Sequence, residues 1–310
     1  MSLPAFLEGR LSLPLIGSPL FIISQPALVI AQCRAGIIGA FPSLNARPSG
    51  VFEQWLQQLG EALTEKDAPF AVNLIVHKTN SRLEEDLALC VKYRVPIVIT
   101  SLGARKDVNQ TVHSYGGIVL HDVINNVFAR KAIEKGADGL IAVAAGAGGH
   151  AGTLSPFALV EEIRAWFDGP LALSGSIATG RSIAAARMMG ADFAYMGSPF
   201  IATEEANADP AYKQMIVESG AGDIVYSDYF TGVLGNYLRP SITAAGLDAD
   251  NLPKAADMDF SSAARGEKKA WRDVWGAGQG IGAVREVQSA GAFITQLKAE
   301  YQAAVAGFRA

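Results

Sequence analysis

Cysteine is scarce: Cys33 and Cys90 are the two among 310 residues, and each sits inside an apolar periodic stretch. That usage excludes a disulfide framework and points to buried thiols in a reducing compartment. Charge is also low, at 18% of residues, and the net charge of −4 contains no basic block. Neither nucleic acid nor an anionic membrane surface would find an electrostatic footprint here, so the expected ligand is a small molecule. No apolar stretch reaches membrane-spanning length without Gly, Pro or charge, and the first residues lack a basic start followed by an apolar run; a cytoplasmic protein is expected. There are four histidines, with no paired His, Cys or carboxylate spacing that would place metal ligands on one face. No GxSxG or comparable nucleophile motif occurs.

What the chain does have is hydrophobic residues, at 50%, enough to bury one large core. We expect one domain over residues 1–310. Short, nearly continuous apolar runs occupy 13–17, 37–41, 70–76, 97–101, 117–121, 139–143, 171–174 and 193–196. Runs of that kind suit strands buried on both faces. Between them lie stretches of helical period, such as 81–93, 125–135, 156–167 and 180–189. EKGAD at 134–138 and MMGAD at 188–192 each put a Gly after a helix and an Asp before the next strand, marking a repeated αβ unit. Eight alternations predict an α/β fold, a (β/α)8 TIM barrel, in preference to an open doubly wound sheet. After Phe200 the rhythm fails. Residues 203–220 read as helix, 221–264 as an irregular excursion, and about 284–305 as a C-terminal helix that returns to the body.

In such a barrel the site is built from the loops that follow the strands. After the sixth strand comes AAGAGGHAG, 144–152, whose glycines leave backbone accessible and whose one titratable side chain is His150. After the seventh comes LSGSIATGRS, 173–182, and after the eighth MGSPF, 196–200. Together the N–H groups and hydroxyls of Gly175, Ser176, Gly197 and Ser198 form a candidate phosphate cradle. WGAGQGIG, 275–282, has no preceding strand and no acidic residue at ribose distance, so it is not a dinucleotide loop; it is either a cover for the site or an ordinary helix entry. DYFTGVLGNYLRPS, 228–241, is either a lid, an oligomer contact or a loop pinned by its own aromatics. His77 and His113 read as solvated surface residues, and His121 lies at a strand end.

AGGHAG followed by LSGSIATGRSIAAARMMGADFAYMGSPFIAT resembles the nitronate monooxygenase family, formerly called 2-nitropropane dioxygenases, and the similarity extends over most of the chain. PLIGSPLFIIS near the start and AVNLIV at 71–76 are similar to the family's strand-end flavin contacts. The resemblance implies an FMN barrel that oxidises alkyl nitronates with O2 to carbonyl compounds and nitrite. His150 would be the catalytic base or nitronate-binding group. Gly148 and Gly149 would lie beside the flavin, Asn73 would bond its isoalloxazine edge, and the backbone of Ile16 and Gly17 would line it. Gly175, Ser176, Gly197 and Ser198 would hold the phosphate, with His121 and Ser174 completing the set. One departure stands out: some related barrels carry a Lys after the fifth strand, where this chain has Asp122, and Val143 stands where an acidic strand-end residue is absent. The alternatives are an NAD(P)H-dependent FMN reductase of quinone or enoyl-acyl-carrier type, a flavin-binding protein without turnover, and a barrel for a phosphorylated metabolite. A homodimer is expected from the aromatics of the excursion.

Overall fold

The computed structural model describes residues 7–254 and 273–308. Parallel strands β1 (Leu15–Gly17), β2 (Gly39–Pro42), β3 (Phe70–Ile75), β4 (Ile97–Ser101), β5 (Ile118–Val123), β6 (Gly139–Val143), β8 (Leu171–Ser174) and β9 (Phe193–Met196) form one sheet in the order β1-β9-β8-β6-β5-β4-β3-β2. A parallel bridge between Ile16 and Ile38 joins the first and last of these, with Gly17 N donating to Ile38 O at 2.8 Å. The wall therefore closes as a (β/α)8 barrel. Its helices are α1 (Pro26–Arg34), α2 (Val51–Ala62), α3 (Leu83–Lys92), α4 (Lys106–His113), α5 (Asn126–Glu134), α6 (Pro156–Arg164) and α7 (Gly180–Met188), with the long α11 (Ala290–Gly307) packed on α7. Among the described residues, no helix is long and apolar enough to cross a membrane.

The repeated GAD element has a structural reason. Gly136 and Gly190 take φ of 91° and 104°, the left-handed conformation that ends a helix cheaply in glycine alone. The aspartate that follows then accepts an N–H from the neighbouring strand: Asp138 Oδ2 from Val119 at 2.7 Å, Asp192 Oδ2 from Leu171 at 2.9 Å. Each copy thus satisfies a donor at the start of a strand that the ladder leaves open.

Strand alternation divides the core in two. Val72, Val98, Val119 and Ala142 point outward and pack with Leu87, Val112, Ala132 and Leu159 of the covering helices. Ile16, Ala71, Ile97, Ile99, Leu120, Ile141, Ala172 and Phe193 point inward and fill the lumen. One further step of that alternation brings Asn73, Ser101, Asp122, Val143, Ser174 and Tyr195 to the C-terminal mouth of the barrel. A mainly polar layer therefore caps an apolar lumen.

Past β9 the chain makes α8 (Ser198–Ile201), α9 (Pro210–Glu218), β10 (Ile224–Ser227), β11 (Gly235–Leu238) and α10 (Arg239–Ala244). Helix α9 starts at residue 210, not 203, because Pro210 occupies its first turn and the Asp209 side chain accepts from Ala211 N. β10 and β11 pair antiparallel, and β11 pairs on its other side with β7 (Gly149–His150). The stretch at 221–264 is thus partly regular, and residues 255–264 of it lie outside the described residues. Of its aromatics, Tyr237 is fully buried in a satellite core with Ile242, Ala245 and Val274, and Phe230 packs on it at 4.6 Å between ring centroids. The C-terminal helix begins at Ala290, where Ser289 caps it, later than residue 284.

Candidate active site

A cavity of about 2000 Å3 opens over the barrel mouth. Of the residues expected to build the site, Asn73, His121, Gly148, Gly149, His150, Ser174, Gly197 and Ser198 border it. Ile16, Gly17, Gly175 and Ser176 do not; the residues after β1 that do are Ser18, Pro19, Leu20 and Phe21. Leu44, Leu102, Ile124, Val233 and Leu234 add apolar wall, and Arg47, Lys131 and Lys135 bring positive charge to it.

His150 is positioned by strand pairing. β7 is only two residues long, yet its register with β11 places His150 opposite Gly235. Asn236 Nδ2 donates to Ala147 O at 2.6 Å and Tyr226 Oη donates to Ala151 O at 2.8 Å, so the excursion holds the Gly-rich loop at two points. The imidazole Nε2 lies 3.0 Å from Thr231 Oγ1, whose hydroxyl donates to Val233 O at 3.1 Å. Burial pushes the imidazole below its usual range, so the ring is neutral at pH 7.

The Gly-rich segment at 275–282 covers the Gly-rich loop, borders the cavity through Gly276 and leads into a short 3-10 helix, Gln279–Ala283. Gln279 N donates to Gly146 O at 2.9 Å, and Gly278 N donates to Ser198 Oγ at 2.8 Å. Trp275 stacks on Tyr212, with centroids 4.7 Å apart and planes 8° from parallel. A Cβ on Gly278 would stand 2.6 Å from Gly146 O and 2.8 Å from Gly148 N, both backbone atoms with little room to yield. Gly278→Ala is accordingly expected to lose about 1–3 kcal/mol of stability, read by urea denaturation; a variant as stable as the parent would contradict this close approach. Ser176, with φ of 55°, donates its N–H to Gly146 O at 3.3 Å, which places it in the seam between loop and cover.

Asn73 is buried, and its amide nitrogen donates to Ile99 O at 3.1 Å and to Ser101 Oγ at 2.7 Å. Ser101 Oγ in turn donates to Asp122 Oδ2 at 2.5 Å. Burial raises the Asp122 carboxyl to about 6 against the opposing effect of that hydrogen bond. Tyr195, across the lumen, is pushed upward by burial and by the Asp122 charge, and it is hydrogen-bonded to Ser18. Ser101, Asp122 and Tyr195 were not among the expected site residues. Counting two positions on from the last apolar lumen residue of each strand would have found them.

His121 occupies the outward parity of β5, between Val119 and Val123. Its Nδ1 lies 2.6 Å from Thr100 Oγ1 on the same side of β4, and burial lowers it to about 4. It borders the cavity from outside the barrel wall, whereas Asp122 is the β5 residue that faces the mouth. His77, expected at the surface, is half-buried and lines the cavity, with Nδ1 at 2.9 Å from Thr79 Oγ1. His113 pairs with Asp138 at 2.8 Å on the exterior. Cys33 and Cys90 are fully buried outside the lumen; burial pushes the Cys33 thiol up to about 12 and raises Cys90 as well, leaving both protonated.

Known proteins resemble this chain in sequence and in shape. A nitronate monooxygenase of Paraburkholderia phytofirmans is 24% identical, the match covering 96% of this chain and 94% of the relative. FabK of Thermotoga maritima superposes with a TM-score of 0.82 at 25% identity, over 98% of this chain and 96% of that one. A nitroalkane oxidase of Streptomyces ansochromogenes superposes with a TM-score of 0.83 over 98% of this chain and 100% of that one; its 23% identity speaks to the fold. The model of the family described as nitronate monooxygenase matches residues 80–300, more than half of the chain, which spans His150, the seventh and eighth strand-end loops and the cover. The chain is therefore an oxidoreductase that belongs to the nitronate monooxygenase family.

Proposed function

We propose that the barrel mouth holds FMN and oxidises alkyl nitronates with O2 to carbonyl compounds and nitrite, with His150 as the residue that handles the proton and the substrate charge. The observation that carries this reading is a neutral, half-buried imidazole held by Thr231 at the wall of a cavity that Gly197 and Ser198 also line. The donor set fits the cofactor. Ser198 opens α8, so its N–H has no acceptor within that helix, and its hydroxyl keeps a hydrogen to give after accepting from Gly278. Ser198, Gly197 and Ser174 would hold the phosphate, while Asn73 at the barrel mouth would meet the isoalloxazine. When bound, the flavin supplies the electron-accepting chemistry that none of these side chains can perform.

The residues do the rest. His150, neutral at working pH, takes the α-proton of a nitroalkane and then faces the resulting anion as an imidazolium. Leu234, Val233 and Ile124 line the walls apolar and limit water near the reacting carbon. Oxygen uptake with nitrite release on adding an alkyl nitronate to the FMN-loaded protein tests the reading, and loaded protein that consumes neither would overturn it. Likeness to FabK favours one alternative, reduction of the flavin by NADH or NADPH for a different acceptor.

A further inference from the structure

Asp122 is a carboxyl in a place that disfavours carboxylates. It faces the lumen from β5 with no cation among the groups that set its ionisation. From β4 it meets Ser101; from β6 the same layer carries Val143; across the barrel the titratable group is Tyr195. His121 on its own strand is turned to the opposite face; Arg130, Lys131 and Glu134 of α5, and Lys135 that caps it, lie outside the wall, and Arg47, His77, Arg82, Lys131 and Lys135 line the wider cavity without being among the groups that shift Asp122. His150 stands on the cavity wall and is neutral.

The hydrogen bonds around Asp122 run one way. Ile99 O can only accept, so the Asn73 amide must turn its nitrogen toward it, at 3.1 Å. The second amide hydrogen goes to Ser101 Oγ at 2.7 Å, and the Ser101 hydrogen goes to Asp122 Oδ2 at 2.5 Å. Asn73 is left with Oδ1 alone to offer a ligand, an acceptor. Asp122 ends the chain as the group that receives.

Resting on the FMN reading above, we propose that Asp122, held by Ser101, is a positioning residue that sets the redox poise of the bound flavin. Ionised, it opposes the negative charge that reduction adds at the barrel mouth, and through Ser101 it keeps Asn73 presenting an acceptor; protonated, it withdraws that opposition. The carboxyl titrates near pH 6, inside the working range, so the poise follows pH.

Spectroelectrochemical titration of the FMN-loaded protein between pH 5 and 8 tests this, in the parent, Asp122→Asn and Ser101→Ala. At pH 8 the Asn variant is expected to have the higher midpoint potential, equivalent to roughly 10-fold or greater relative preference for reduced over oxidised flavin. Parent and variant should converge as pH falls through about 6. Ser101→Ala should move that crossover to higher pH, because its hydrogen bond favours the carboxylate. Parallel potentials for parent and Asp122→Asn over the whole range would overturn the inference while leaving the FMN reading intact. Should Asp122→Asn fail to fold, the pH at which the parent's potential changes slope serves instead, and a Ser101→Ala protein whose slope changes at the same pH as the parent's would overturn it equally. A parent protein that binds no FMN would overturn both.

Discussion

His150→Ala is expected to lower turnover of a neutral nitroalkane by about 10²- to 10⁴-fold, the usual contribution of a positioned general base. The flavin should be retained, because the variant leaves Gly197, Ser198 and the cover untouched. A preformed nitronate has already lost its proton, so its oxidation should suffer less, and the ratio of the two losses isolates the proton-transfer role. Burial lowers the imidazole below its usual range. The rate on nitroalkane should therefore rise through an inflection below pH 6.5 and stay level above it, and the inflection should vanish in the variant. Equal losses on both substrates, with the inflection intact, would mean that His150 shapes the wall without moving a proton.

A second large effect concerns neighbours on β5 that titrate in opposition. His121 takes a proton more readily unfolded than folded, its value dropping from 6.5 to about 4 on burial. Its contribution to stability is complete above pH 6.5 and is lost as pH falls to 4, by about 3 kcal/mol. Asp122 rises from 3.8 to about 6, so it holds its proton more tightly when folded. Its buried charge costs about 3 kcal/mol above pH 6, and that cost disappears as pH falls toward 4. The two nearly cancel in the parent. Asp122→Asn should be more stable than the parent at pH 7 and lose that advantage on acidification, while His121→Gln should gain on the same descent. Urea denaturation at pH 7, 6, 5 and 4 reads both. Curves that run parallel to the parent would show that neither group is held in the stated ionisation.

Where strands are unbroken apolar runs, the sequence states them outright. β4, β6, β8 and β9 begin and end where hydropathy places them. β5 runs past the expected 121 to Val123, because the polar pair His121–Asp122 is satisfied on both faces, by Thr100 outside and Ser101 inside. Composition shows a polar pair as a strand end; alternation shows it as one outward and one inward residue. That parity separates His121 from Asp122 at the mouth. The Gly-rich loop and His150 were legible as a strand-end loop, but the strand pairing that aims His150 was not. Its partner Gly235 is far away in the chain, and a two-residue strand has no period to detect. Nor does local pattern reveal that the 275–282 segment serves as a cover, since its contacts with Gly146 and Ser198 are tertiary.

The central claim, that this mouth oxidises nitronates through a flavin, is tested most directly by anaerobic mixing of the FMN-loaded protein with an alkyl nitronate, and separately with NADH and NADPH, while flavin absorbance is followed. Loss of the oxidised-flavin band with nitronate alone, restored on admitting oxygen, is the predicted result. Bleaching by a nicotinamide and not by nitronate would contradict it and assign the site to a reductase.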